Sequence, residues 1–516
     1  MQISKTNVTR FSDLICPAIL LLIAIAIAYP RWRAGVDWRD EGLLAYGAER
    51  VVHGEIPHRD FVSLQPPLSF YTAAAAFKLG GTSLATLRGF GLTIFLLLPV
   101  LIYSLGRKFL RPTLSFAGAA PACILGLPYV YFVPLAAWQG ITISFAAVLL
   151  FIVAMRSERP WLAMPAGALT SLALLLRHDQ TVYTMAALFV LLVTLHFAPD
   201  ASFSKTNLRR VFYFWLGGIA IILTPAILLW WKIGALPDMF QQLVVFPFAT
   251  YRKTSALPFP RFTAGRTISE RAIVLLYYLP PFMQAIAALY LGQSIFRRRF
   301  NEREAMLSFL LAWSALFYLQ VMVRSDQTHL LMTLPPFFLL SAFCWSILQR
   351  AIDKYRGLVL LFPVLLGIGV VSFLWILRST VLPDVTHGTD MLSLSRGRIF
   401  IAQPNLVIQF VRQIQELVLP SKSILALPYQ PMFYFLCDRH NPTRWNYLWP
   451  GDQTANDHER FIEEAERDPP AIILLSDQGQ GELAESAPMI VEYVRMHYLL
   501  TNQLGDIAIY ERLEMR

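Results

Sequence analysis

Long apolar stretches recur along this chain from Leu14 to Leu377, and they limit its fold more than any other feature. Each has about 16 to 23 residues, close to the roughly 20 that an α-helix needs to cross the hydrocarbon layer of a membrane. With 56% hydrophobic and 15% charged residues, the 516-residue chain has too much apolar surface for one soluble core. The predicted spans, about eleven, lie near residues 14–29, 88–106, 113–132, 139–155, 160–176, 181–197, 211–231, 273–295, 305–322, 329–348 and 357–377.

Lys and Arg gather in alternate loops between these spans, and short loops rich in these residues stay on the cytoplasmic side of a membrane. With the amino terminus inside, that side receives the cationic clusters at 107–111, 156–159, 205–210, 297–303 and 350–356. Counting the short apolar stretch 69–79 as a span would put the later clusters outside, so we predict an interfacial or re-entrant helix there. These cations account for much of the net charge of +10, and we therefore predict no nucleic-acid partner.

The first apolar segment also has the features of a secretory signal peptide. It follows a basic start and contains Ala26-Ile27-Ala28, which fits a cleavage site. We favour a retained helix, because a polytopic chain needs an anchored first helix beside its loop. Both interpretations leave Asp40 outside, and amino-terminal sequencing of the mature protein distinguishes them.

The character of the chain changes after Leu377, where charge increases and short apolar strands alternate with helical patterns. We predict a transmembrane domain over 1–377 and a small soluble α/β domain over 378–516, outside the membrane. Candidate strands lie at 423–427, 471–475 and 506–510, and candidate helices at 404–418, 455–467 and 485–497.

Two adjacent acids, Asp40 and Glu41, open the first large outer loop, which spans about 30–87. The pattern predicts a helix over 40–53 that lies on the membrane surface, with Asp40 as its amino-terminal cap and Glu41 favouring the first turn. On spacing alone, capping is the simpler interpretation. The loop also carries many cations, which suit a phosphorylated substrate, although each one is also explained by contact with lipid headgroups.

The residues from Asp40 to Phe61, followed by Pro66-Pro67, resemble the first outer loop of GT-C glycosyltransferases. The similarity is closest to the bacterial branch related to protein O-mannosyltransferases and the lipid A aminoarabinose transferase, the family 39-like group. The stretch from Tyr434 to Trp445 resembles a segment in the outer domain of many such bacterial proteins. This resemblance implies a GT-C-like fold with about eleven transmembrane helices, located in the bacterial cytoplasmic (inner) membrane.

The resemblance further implies inverting transfer of a sugar from a polyprenyl-phosphate donor to a lipid, glycan or protein acceptor on the outer face. Asp40 is then the candidate general base and Glu41 a residue that orients the acceptor or the base. Candidate ligands of the donor phosphate are Arg59, Lys78, Arg88, Arg177 and Arg324. Candidate residues of a polar cavity are His178, Asp179, Asp326 and His329, and candidate acceptor contacts are Tyr434, Arg439 and Arg444.

Two pairs, His178 with Asp179 and Asp326 with His329, offer nitrogen and oxygen ligands for a metal. Neither pair has a recognised ligand spacing, so we assign no metal site. The resemblance leaves a divalent cation open, because only some GT-C enzymes use one. Relatives often carry a second acid in the next outer loop, but 132–139 has none here, and Asp179 is our candidate for that role.

Two other functions fit a chain with many spans. A lipid-linked glycan polymerase or ligase would also have outer Arg and His residues, but it does not predict an acidic pair directly after the first helix. A transporter or flippase, which would not be an enzyme, favours internal repeats and charged residues within spans. The charges here gather at the outer ends of the spans instead, which favours an enzyme at the membrane interface.

Overall fold

The computed structural model describes residues 5–157, 159–198, 203–265, 267–352, 382 and 390–513. The eleventh predicted span, 357–377, and the predicted domain boundary after residue 377 lie outside the described residues. The chain divides into two compact units, and each is described by itself. Unit 1 comprises Met1–Trp32, Gly91–Ile227 and Leu257–Asp384, and unit 2 comprises Arg33–Phe90, Leu228–Ala256 and Val385–Arg516.

Helices dominate the described residues up to 352. In chain order they are α1 Lys5–Ala28, α2 Asp40–Val52, α3 Leu68–Gly80, α4 Leu84–Gly106, α5 Pro112–Ala119, α6 Ala136–Arg156, α7 Ala163–Leu176, α8 His178–Phe197, α9 Lys205–Lys232, α10 Leu236–Phe240, α11 Arg252–Thr254, α12 Ile268–Phe296, α13 Glu302–Val323 and α14 Gln327–Ile352. Two π-helical segments, Gln241–Val245 and Pro247–Tyr251, connect α10 to α11.

Ten of the predicted spans are confirmed as apolar helices. Within the described residues, eight helical segments are long and apolar enough to cross a membrane: Leu84–Gly106, Pro112–Val130 (α5 with the short helical turns that follow it), Ala136–Arg156, His178–Phe197, Lys205–Lys232, Ile268–Phe296, Glu302–Val323 and Gln327–Arg350. Two shorter apolar helices, Ser12–Ala28 and Pro160–Leu176, match the other two. The predicted helix at 69–79 is α3, and at 13 residues it extends only about 20 Å, too short to span. The chain is a multi-pass membrane protein.

Aromatic side chains and small residues pack the helices of unit 1. The indole of Trp313 on α13 is fully buried, lies 4.6 Å from the ring of Phe145 on α6, and donates a hydrogen bond of 3.0 Å to Thr184 on α8. Gly167 on α7 and Gly218 on α9 leave no room for a Cβ, because each faces the backbone of the other helix. Such small residues let helices approach closely, which matters in a membrane because the hydrophobic effect does not drive helices together there.

Unit 2 contains the predicted α/β segment. Its further elements are β1 Asp390–Met391, β2 Phe400–Ile401, α15 Pro404–Leu417, β3 Ile424–Leu427, α16 Pro431–Cys437, α17 Ala455–Arg467, β4 Ile472–Ser476, α18 Asp477–Ser486, α19 Pro488–His497, β5 Tyr498–Leu504 and β6 Ile507–Arg512. The sheet order is β3-β4-β6-β5, with β3 and β4 parallel and the other pairs antiparallel. The three predicted strands and three predicted helices are confirmed. Strand β5 was not predicted from the sequence, and most of its residues are exposed.

The first outer loop belongs to unit 2, where its helix α2 is buried. The predicted helix is confirmed, and charged residues are among its buried ones: Glu49 and Arg50 are buried, whereas Val51 and Val52 are only half-buried. A Cβ on Gly42 would lie 2.5 Å from the backbone nitrogen of Met432 at α16. The small residue Gly42 therefore allows α16 to pack closely on α2.

Candidate functional site

The amino-terminal end of α2 presents an exposed carboxylate, Asp40, on a buried helix. The prediction that Asp40 caps this helix is wrong. Oδ1 of Asp37 accepts hydrogen bonds of 3.0 Å from the backbone N–H groups of both Arg39 and Asp40, so Asp37 satisfies the helix end. Asp40 is the first helical residue, and its side chain is exposed at the positive end of the helix dipole.

Glu41 lies on the buried side of the same turn and pairs with Arg88. Both side chains are fully buried, and two hydrogen bonds of 2.6 and 2.7 Å join the guanidinium to the carboxylate. Arg88 also donates to the carbonyls of Ala34 and Gly35, at 3.2 and 2.9 Å. Burial raises the pKa of the Glu41 carboxyl, while the positive charge of Arg88 opposes the rise. We assign this pair to positioning the start of α2.

A polar cavity of about 260 Å³ lies in unit 2, and its wall includes Arg444, Asn446, Tyr447 and Asp452. Asp40 lies within electrostatic range of Tyr447 in that wall. Burial raises the pKa of the Tyr447 phenol, and the negative charges of Asp452 and Asp40 raise it further. Amide, aromatic and carboxylate groups together suit a ligand rich in hydroxyls. The cavity thus places ligand-binding groups beside the exposed acid.

Three separate segments of unit 2 meet at His58. Its Nδ1 lies 2.8 Å from Oε1 of Gln242, and its carbonyl accepts a 2.8 Å hydrogen bond from Nη2 of Arg444. The same nitrogen of Arg444 lies 2.8 Å from Oδ2 of Asp238. Arg444, a predicted acceptor contact, therefore borders the cavity and also joins the loop at His58 to α10. Nothing in the sequence connects His58 with Asp238 and Gln242, because His58 lies far from both in the chain.

We expect His58 to make unit 2 sensitive to acid. Burial lowers the pKa of its imidazole to about 4, against an ordinary value near 6.5. Because the unfolded chain binds the proton more readily, the stabilisation is complete above pH 6.5 and is lost as the pH falls towards 4. The loss should be on the order of 3 kcal/mol. Thermal unfolding of the wild type at pH 7.5 and pH 4.5 measures it.

The variant His58→Asn should show a smaller loss of Tm between these two pH values, because the titrating group is gone. Asn tolerates the positive φ of 73° at this position better than most residues. The matched control is His53→Asn, since His53 is exposed and its replacement should leave the acid sensitivity unchanged. A wild-type acid sensitivity in His58→Asn would contradict the assignment.

Two other predicted acceptor contacts serve the packing of unit 2. The ring of Tyr434 is buried, stacks on Tyr46 at 4.8 Å, and its hydroxyl accepts a 2.8 Å hydrogen bond from the backbone of Ala426. The guanidinium of Arg439 is buried and donates to the carbonyls of Gln415, Val418, Cys437 and Asp438. Since these polar groups are directed at the protein itself, we do not retain Tyr434 or Arg439 as acceptor contacts.

Two predicted phosphate ligands of the first loop lie at the surface. Arg59 forms two hydrogen bonds with its neighbour Asp60, at 2.7 and 2.8 Å, and its side chain is 42% exposed. Lys78 is exposed in the last turn of α3. Arg88, by contrast, is committed to Glu41 and cannot reach a ligand without breaking that pair.

In unit 1, α13 brings the predicted polar clusters together at one helix end. Nε2 of Gln320 donates a 2.6 Å hydrogen bond to Asp179, which also pairs with Arg177 at 2.8 Å. Arg324 lies one turn after Gln320 and pairs with Asp326 at 2.6 Å. Both arginine side chains are 23% exposed, so neither is fully covered by protein. The sequence offered one signal for Gln320, a lone amide in an otherwise apolar span.

His329 completes the second cluster through Asp326. Its Nδ1 and its backbone nitrogen lie 2.7 and 2.8 Å from Oδ1 of that carboxylate. Burial raises the pKa of Asp326, but the hydrogen bonds and charge of His329 and the hydrogen bond of Arg324 outweigh it and lower the pKa to about 2. Among the residues that the structure describes, no three His, Cys, Asp or Glu side chains form a group that could hold a metal. We therefore derive no step through a metal.

Comparison with solved structures identifies relatives of this fold. No family model matches the sequence, and no curated protein matches it either. The oligosaccharyltransferase of Archaeoglobus fulgidus in its apo form aligns with a TM-score of 0.59 and 12% identity, over 98% of this chain and 74% of its own. ArnT from Cupriavidus metallidurans aligns in its apo state with a TM-score of 0.58 and 13% identity, over 97% of both chains. ArnT bound to undecaprenyl phosphate aligns with a TM-score of 0.57 and 12% identity, over 97% of this chain and 98% of its own.

Proposed function

We propose that this chain, which has the fold of GT-C membrane glycosyltransferases, is a glycosyltransferase. It transfers a sugar from a polyprenyl-phosphate donor to an acceptor on the outer face of a bacterial inner membrane. The observation that carries this proposal is the exposed carboxylate of Asp40, held at the start of a buried helix and beside a polar cavity. A catalytic base needs such a combination of access and fixed position.

Asp40 is the proposed general base. As the acceptor oxygen forms a bond to the anomeric carbon, its proton passes to the Asp40 carboxylate. The bond from that carbon to the phosphate oxygen breaks on the opposite side, and the electron pair leaves with the lipid phosphate, so the anomeric configuration inverts. Asp37 and the pair of Glu41 with Arg88 hold the start of α2 in place through the contacts described above.

Charge accumulates on the departing lipid phosphate, so fixed cations should stabilise it. We propose Arg177 and Arg324 for this role, because each is a partly exposed guanidinium oriented by a neighbouring carboxylate. Arg59 and Lys78 remain proposed contacts of the donor at the surface. Arg88 is withdrawn, since its donors are used within the protein.

The polar cavity of unit 2 is the proposed acceptor site. Its wall combines Trp445, Asn446 and Tyr447 with the carboxylates Asp452 and Asp457. Aromatic faces pack against sugar rings, and amides and carboxylates hydrogen-bond their hydroxyls. We therefore favour a glycan or glycolipid acceptor over a protein side chain.

Transfer itself should be tested with purified protein in liposomes that contain a panel of polyprenyl-phosphate sugars. Acceptor glycolipids are supplied from outside, and mass spectrometry measures the glycosylated product and the released polyprenyl phosphate. We expect product with at least one donor. If lipid-linked sugar crosses the bilayer and no new glycosidic bond forms with any donor, the protein is a flippase and the proposal fails.

A further inference from the structure

Six cations converge on a second cavity, of about 550 Å³, within unit 1. They are Arg107, Lys108, Arg111, Arg156, Arg303 and Arg350. They come from the ends of α4, α6 and α14 and from the starts of α5 and α13. Among the described residues that line the cavity, only Glu302 is acidic. The two ends of α13 lie about 30 Å apart, so this cavity is remote from the cluster around Arg324.

The rule that places cations on the cytoplasmic side explains why each loop is basic, but it does not require five helix ends to share one cavity. Part of the charge is neutralised, because Arg107 pairs with Asp13 at 2.6 Å and Arg156 with Glu302 at 3.1 Å. Arg111, Arg303 and Arg350 have no carboxylate at ion-pair distance within the part of the chain that the structure describes. Cations held together in this way repel one another, and an anion would relieve the repulsion.

Apolar groups line the same cavity next to these cations. Phe109 and Phe343 lie 5.8 Å apart, and the guanidinium of Arg303 lies 5.8 Å above the ring of Phe343. Leu114 and Met306 extend the apolar wall. A soluble anion needs only the cations, whereas a phospholipid presents a phosphate directly beside hydrocarbon. The position at the ends of membrane helices is also the depth at which headgroups lie.

We propose that this cavity binds the phosphate headgroup of an anionic membrane phospholipid. The site is separate from the proposed transfer chemistry and does not depend on it. Each cation near an anionic headgroup contributes on the order of 1 kcal/mol, so removing two should weaken binding roughly ten- to thirty-fold. Binding should also weaken with added salt.

The test uses the full chain purified in a neutral detergent. Dioctanoyl phosphatidylglycerol, dioctanoyl phosphatidylcholine and inorganic phosphate are titrated separately, and the rise of Tm with concentration gives an apparent Kd. We expect Tm to rise with phosphatidylglycerol and not with phosphatidylcholine or inorganic phosphate. The double variant Arg111→Gln with Arg350→Gln should weaken it at least tenfold, and both side chains are exposed, so the fold should persist.

The matched control is the double variant Arg297→Gln with Arg299→Gln, which removes the same charge from exposed positions outside the cavity lining. It should keep the wild-type Kd. Equal weakening in both double variants would show that the effect is general surface charge, and the proposal would be overturned. An equal rise of Tm with phosphatidylcholine, or with inorganic phosphate at the same concentration, would also overturn it.

Discussion

Replacing Asp40 with Asn should lower the rate of glycosyl transfer by about 10² to 10⁴ and leave Tm nearly unchanged. The amide keeps the size of the side chain but cannot accept the acceptor's proton. The fold should persist, because Asp37 rather than Asp40 satisfies the amino-terminal end of α2 and the Asp40 side chain is exposed. The lost interaction with the helix dipole accounts for about 1 kcal/mol at most.

The measurement is the initial rate in liposomes at saturating acceptor, together with kcat/KM and a thermal melt of each preparation. We expect kcat and kcat/KM to fall together, since the base acts in the transition state. The control is Asp506→Asn, which changes an exposed acid in the turn between β5 and β6. Full activity of Asp40→Asn on a donor that the wild type uses would remove Asp40 from the mechanism.

Glu41→Gln should destabilise the protein by about 3 to 5 kcal/mol, because it leaves the buried guanidinium of Arg88 without a counter-charge. Any shift of Arg88 would also disturb the backbone at Ala34 and Gly35, since Arg88 donates to both carbonyls. Activity should therefore fall through misplacement of the helix start. Unfolding by heat or urea, followed by circular dichroism, measures the loss of stability.

Two further variants test whether the stability lost in Glu41→Gln comes from the buried ion pair. The double replacement Glu41→Met with Arg88→Met should recover part of the stability, because it leaves no unpaired charge buried. The control Glu463→Gln breaks an exposed ion pair with Arg467, 3.5 Å long, and should cost less than about 1 kcal/mol. If Glu41→Gln keeps the wild-type Tm and still loses turnover, Glu41 contacts the substrate and our assignment to positioning is wrong.

Local patterns were enough for most of the helices and for three strands of this protein. Ten apolar stretches became helices, and the short strand patterns at 423–427 and 471–475 became the parallel pair β3 and β4. These predictions succeed because the length of an apolar run and its periodicity depend on neighbours in the sequence. The helix α2 was predicted for the same reason, with its first residue at Asp40.

Local sequence patterns predicted the roles of the charged residues less well. A buried Arg such as Arg88 and an exposed one such as Arg59 have the same appearance in a sequence, yet the first holds Glu41 and the second lies at the surface. Arg439 was a candidate acceptor contact, but it donates to four carbonyls of its own unit. Burial decides which cations are available, and burial depends on distant parts of the chain.

The amino-acid sequence alone specified a multi-pass helical membrane protein with an α/β segment near its end, because hydrophobic length and period are local properties. It also placed an acid pair at the start of one helix. Tertiary structure separated that pair, since folding buries Glu41 against Arg88 of α4 and leaves Asp40 exposed. Residues as distant in sequence as His58, Gln242 and Arg444 meet only when the chain folds, because their contacts join three segments.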